Sequence, residues 1–186
     1  MNAYSIALFL HIVGALGIFV ALGLEWTGLW QIRSVMTPQQ VGGWMRILKS
    51  VRKFGFASML TTVVTGIYMM VAVWGGEAWI IVTVGSLVLM IALAQVVTAP
   101  RMMAIGRALA TEKAPLSQTF HSLANNPLLW ISLQTRVAIA LGIIFLKIAK
   151  PDWDGSLITI GVAIVLGAAS ALPVIRREQV QAASAN

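Results

Sequence analysis

Residues 3–31 read AYSIALFLHIVGALGIFVALGLEWTGLWQ, and the fold class follows from this stretch. Only His11 and Glu25 interrupt the apolar run. As a helix rising 1.5 Å per residue, it would extend about 44 Å, more than the roughly 30 Å thickness of a bilayer's hydrocarbon core. No Lys or Arg precedes Glu25. The basic n-region of a secretory signal is therefore missing, and the run reads as a retained membrane span.

Four further runs pass the same length test, at about 54–74, 79–99, 128–149 and 157–175. The composition agrees: 59% of the 186 residues are hydrophobic and 10% are charged, where a soluble domain carries about 25% charge. The expectation is a single all-α transmembrane domain over residues 1–186, a polytopic bundle of about five helices. There is no cysteine, which removes disulfides, iron–sulfur clusters and thiolate metal sites.

Charge sets the expected orientation. Gly75, Gly76 and Glu77 connect the second and third runs tightly, and Lys150 to Gly155 turn the chain between the fourth and fifth. Opposite those turns lie Arg33, Arg46, Lys49, Arg52, Lys53, Arg101, Arg107, Lys113, Arg176 and Arg177. Lys147 and Lys150 fall on the turn side. The positive-inside rule then puts the N-terminus outside and the C-terminus in the cytoplasm. The net charge of +7 is read as contact with anionic lipid headgroups, not nucleic acid. Within the first basic connection, Thr37 and Pro38 open a helix over about 38–53, with Val41, Trp44, Met45, Leu48 and Val51 on one stripe. Such a segment is expected to lie along the inner leaflet as an amphipathic surface helix, or to dock a partner. Past Pro100 the third helix continues, then breaks at Pro115 and ends at Asn125, Asn126 and Pro127.

Ionisable groups at membrane depth each need a reason. His11 sits about 12 Å below the outer end, as a packing residue, a proton carrier, or a haem or copper ligand. Met69 and Met70 fall near its depth and offer thioethers, though methionine also fills cores. Arg136 lies near mid-membrane, with Gln95, Gln134, Thr61 and Thr62 at similar depth as a polar cluster, serving either an anion site or a helix lock. Glu25 is expected at the cytoplasmic boundary, pairing with Arg52, Lys53 or Arg101, or ending a proton path from His11. Ala163, Gly167 and Ala171 recur every four residues and allow close packing within the bundle or between subunits of a homo-oligomer. No phosphate loop, zinc motif, carboxylate pair or activated nucleophile is present.

Three segments carry a family resemblance: Phe9, Leu10, His11, Ile12, Val13, Gly14; Arg52, Lys53, Phe54, Gly55 leading to Thr65, Gly66, Ile67, Tyr68; and Phe145 to Pro151. Together they resemble bacterial integral membrane proteins related to the copper-resistance CopD domain. That resemblance implies an inner-membrane protein, accessory rather than catalytic, with haem b or copper as the occupant that His11 would hold. A more distant resemblance is to the HemJ-type protoporphyrinogen oxidases, which share an early membrane histidine. It implies a haem-dependent oxidoreductase with His11 as axial ligand, and the membrane lysine of those enzymes has no counterpart in the middle spans. A structural subunit or small transporter built around Arg136 is the third reading.

Overall fold

A computed structural model describes residues 2–34 and 37–173 of the chain. Arg176 and Arg177 lie outside the described residues, as do the last two positions of the fifth expected span. Among the described residues every regular element is helical, and five helices are long and apolar enough to cross a membrane. The chain is a multi-pass membrane helical bundle. Large apolar side chains such as Phe9, Leu16, Val71, Ile148 and Val165 lie exposed around it, as a surface solvated by lipid requires.

Helix α1 spans Ala3–Ser34, α2 Pro38–Met69, α3 Ala78–Ala92, α4 Ala99–Leu109, α5 Gln118–Ala124, α6 Pro127–Ala149 and α7 Trp153–Ser170. Two π-helical stretches modify this series. One, Met70–Trp74, extends α2 to the turn at Gly75, whose φ of 66° favours glycine. The other, Leu93–Thr98, joins α3 to α4 as one continuous span. Its cause is Pro100, which has no N–H to give the Val96 carbonyl and whose ring crowds that carbonyl, so the helix widens before continuing. The expected continuation past Pro100 is present.

The surface helix over 38–53 is corrected. Thr37 does cap the helix, accepting from the Gln40 N–H, with Pro38 in the first turn, but the helix then runs unbroken into the second span. A lone Gly55 costs a helix about 1 kcal/mol and does not end it. The apolar stripe is covered by protein: Val41, Leu48 and Val51 are buried, a Cβ on Gly28 would lie 2.5 Å from the Leu48 side chain, and one on Gly106 would meet Met45. At the basic end, α1, α4, α5 and the start of α6 add Ile32, Ile105, Phe120, Leu129 and Trp130 to the hydrophobic core.

Helix α6 is the hub. Its stretch of chain is 61% buried, against 22–33% for the other four spans. On one side it receives α7 at close range, since a Cβ on Gly167 would sit 2.6 Å from the Thr135 Cα. Ala163 and Ala171 are buried too, so the small-residue stripe is spent inside the chain, and contact between copies would need another face. Asp152 caps α7 by accepting from the Gly155 N–H, which starts it at Trp153, four residues before the expected 157. At this turn end Lys150 closes α6 and rests its ammonium 4.0 Å from the Trp74 ring centroid, with Trp79 edge-on beside it.

Candidate functional site

The site lies on the seam where α1 and α6 run antiparallel. His11 and Glu25 are separated by 14 positions, and Arg136 and Lys147 by 11. At about 100° per residue each pair returns to nearly the same face of its helix. Two polar rungs result, with Ile18, Leu22, Ile139 and Ile143 buried between them.

The inner rung is an ion pair. Arg136 donates from Nη1 to Glu25 Oε2 at 2.9 Å and from Nη2 to Glu25 Oε1 at 2.6 Å, the bidentate geometry that suits a guanidinium. Nε donates to the Ser132 carbonyl at 3.3 Å, and Nη2 also reaches Thr98 Oγ1 at 3.4 Å. Thr98 and Ser132 hydrogen-bond each other at 3.0 Å, and Ser132 donates to the Leu93 carbonyl. The π-helical stretch makes this possible: its wide turn exposes Leu93 and brings Thr98 onto α6. A second carbonyl of that stretch, Val97, takes Arg101 Nη1 at 2.6 Å. Four of the five guanidinium N–H groups of Arg136 are thereby used, and one on Nη1 is left open.

The outer rung is of a different kind. His11 Nδ1 lies 2.9 Å from the Thr62 carbonyl and 3.2 Å from Thr65 Oγ1, while Nε2 lies 2.7 Å from Lys147 Nζ. A carbonyl only accepts, so Nδ1 carries the proton and Nε2 offers its lone pair to the Lys147 amine. Thr65 gives its own hydroxyl proton to the Thr61 carbonyl and is free to accept. Gly66 makes room for the ring, whose Cε1 would be 3.1 Å from a Cβ at that position.

A cavity of about 480 Å³ opens from the inner rung, within the range of small-ligand sites. Glu25, Arg136, Thr98 and Gln95 provide its polar wall, and Ile18, Leu22, Met59, Met90 and Met102 much of its apolar one. Arg46, Lys49 and Arg52 line its basic end.

Several expectations change here. Glu25 is paired with Arg136 and not with Arg52, Lys53 or Arg101, because α6 presents its guanidinium directly across the seam. Thr61 and Thr62 belong to the His11 rung. Gln134, though buried, lines the shallow groove between α6 and α7, away from the ion pair. Gln95 alone of the neutral cluster shares the Arg136 cavity. Lys147, Thr98 and Ser132 were not anticipated. The spacing of 11 from Arg136 was the available signal for Lys147, and Pro100 the signal for the displaced Thr98.

The arrangement is a poor fit to haem or copper at His11. Both ring nitrogens are engaged within the chain, so no lone pair is free for a metal. Met69 is buried one turn beyond Thr65 and Met70 opens the π turn, with neither supplying a thioether to the ring. Among the described residues no three His, Cys, Asp or Glu side chains gather to hold a metal ion. Nearby, at the basic end, Trp26 and Trp30 pack edge-on against the buried Trp130, and the Arg33 guanidinium lies 5.0 Å from the Trp130 ring. Comparison with protein-family models, curated proteins and solved structures finds no match for this chain.

Proposed function

We propose that this protein is an accessory component of a bacterial inner membrane, N-terminus outside, that holds an amphiphilic guest in the cavity at the Glu25–Arg136 rung. One observation carries the reading: a bidentate ion pair at membrane depth opens onto an apolar cavity and keeps one guanidinium N–H in reserve. Such a donor reads a polar group on an otherwise hydrophobic molecule, as ligand sites with a few placed polar groups do. Ten basic residues opposite the tight turns support the orientation. The CopD-like resemblance accords with a handling role rather than catalysis.

The test is native mass spectrometry and an absorption spectrum of protein purified in its membrane environment. The wild type is expected to carry one bound amphiphile. Glu25→Gln with Arg136→Gln, which removes both charges together, is expected to lose it. A wild type without any guest, or a double variant that keeps it, would overturn the proposal.

A second reading has its own observation. The HemJ-like resemblance implies a membrane lysine, and Lys147 reaches His11 from the fourth span at 2.7 Å. That reading requires Lys147 to leave His11 Nε2, which it holds in this structure, before the ring could ligate haem. Membranes would then oxidise protoporphyrinogen, and Lys147→Met would abolish the rate while leaving any guest at Arg136 in place.

A further inference from the structure

The shape of the cavity and the charge around it name a more specific guest. Helix α2 lies along α1 and meets α4 near the basic end, but it barely touches α3. The gap is a cleft that opens sideways. Phe56 on one lip and Ile91, Gln95 and Met103 on the other are exposed, so the opening faces the surroundings of the bundle at membrane depth, where the solvent is lipid.

Depth within the cleft follows from close contacts between α1 and α2. Gly28 meets Leu48 and Ala21 meets Gly55, which sets Glu25 level with Val51 and Arg52. Arg46, Lys49 and Arg52 rise from that level toward the basic end at steps of three residues, along about 9 Å of helix. All three are exposed, and among the described residues no carboxylate pairs with any of them. In the opposite direction the walls are apolar, with Ile18, Met59, Met90 and Ile91. Methionine walls adapt to a flexible chain.

Charge decides which way the guest points. Arg136 is already neutralised by Glu25. Among the residues that line the cleft, the uncompensated cations are the three on α2, so an anionic head belongs there and the apolar part belongs deeper. We propose that the cleft seats an anionic phospholipid from the leaflet at the basic end, its phosphate on Arg46, Lys49 and Arg52 and one acyl chain between α2 and α3. The ester carbonyl at the head of that chain falls level with Arg136, where the open Nη1 hydrogen donates to it. This assignment rests on the amphiphile-binding reading above and names its ligand class.

The experiment places the protein in phosphatidylcholine nanodiscs containing a minor share of phosphatidylglycerol and counts retained lipids by native mass spectrometry. One phosphatidylglycerol is expected on the wild type. Replacing Arg46, Lys49 and Arg52 by Gln should weaken its retention about a hundredfold, near fivefold per basic residue. Met59→Trp, which fills the cleft and leaves the cations intact, should weaken it as well. On the unmodified protein, raising salt should release phosphatidylglycerol and spare phosphatidylcholine, and inorganic phosphate should not compete for the site. Retention unchanged in the triple variant, or unchanged in Met59→Trp, would overturn the assignment, the latter by showing headgroups adsorbed outside the cleft. A bound amphiphile that is not a phospholipid would sink this assignment while the amphiphile reading stood. No bound amphiphile of any kind would sink both.

Discussion

The two rungs of the α1–α6 seam hold the same two helices together by unlike chemistry. The inner one joins opposite charges in a bidentate pair and opens onto a cavity. The outer one joins two nitrogen bases through a single proton and is closed by Gly66, Thr62 and Thr65. An ion pair at depth costs much desolvation and returns it only while both partners are present. A single hydrogen bond between membrane helices is worth little either way. Under the function proposed above, the inner rung handles the ligand and the outer rung sets helix registry.

That contrast is most easily broken by removing one charge. Arg136→Leu leaves Glu25 without its partner and should destabilise the bundle by about 3–5 kcal/mol, read from unfolding in mixed detergent. Adding Glu25→Gln should recover most of the loss. An uncorrected loss in the double variant would mean that the pair is not the coupled unit described. At the outer rung, Lys147→Met should cost only about 0.6 kcal/mol, the average for hydrogen bonds between membrane helices, and no more than about 1.7 kcal/mol. A cost equal to that of Arg136→Leu would erase the distinction.

Pro100→Ala sharpens the comparison by changing the support of the inner rung alone. With the N–H restored, the π-helical stretch can relax to an α-helix, turning Thr98 by about 100° away from Arg136. Guest occupancy should fall several-fold, while the nitrogen chemical shifts of His11 stay those of an Nδ1–H tautomer.

The smallest effect lies outside both rungs, in the connection between α4 and α5. The Ser117 hydroxyl and then its backbone N–H donate to the exposed Glu112 carboxylate and hold its pKa below the ordinary range. A depressed carboxylate contributes order above its unfolded pKa and loses it as pH falls through the folded value. Protection of the Phe120 amide, which donates to Ser117 Oγ, should be full at neutral pH and drop on acidification. In Ser117→Ala, which keeps only the backbone N–H donor to Glu112 and removes the Oγ that caps Phe120, that protection should be lower at neutral pH and its pH dependence smaller.

The fold was legible in the sequence because the bilayer imposes it: apolar runs of sufficient length must be helices, and the turns Gly75–Glu77 and Lys150–Gly155 stand out by composition. The site was legible only in its members. His11, Glu25 and Arg136 declare themselves by their cost at depth, but which group each meets depends on how α1 and α6 face one another. Glu25 was placed by depth beside the basic connection, whereas the seam gives it Arg136. Lys147 reads in the sequence only as a charge on the turn side, whereas its side chain turns inward to His11. The stripe from Val41 to Val51 reads as a lipid-facing surface until α1 and α4 are seen to cover it.

The most direct measurement compares guest retention in two double variants, Glu25→Gln with Arg136→Gln and His11→Gln with Lys147→Gln, by native mass spectrometry of folded protein. Retention should fall at least about tenfold, or 1.4 kcal/mol, in the first and stay at the wild-type level in the second. Loss of the guest in the second with retention in the first would reverse the roles of the two rungs and contradict the account.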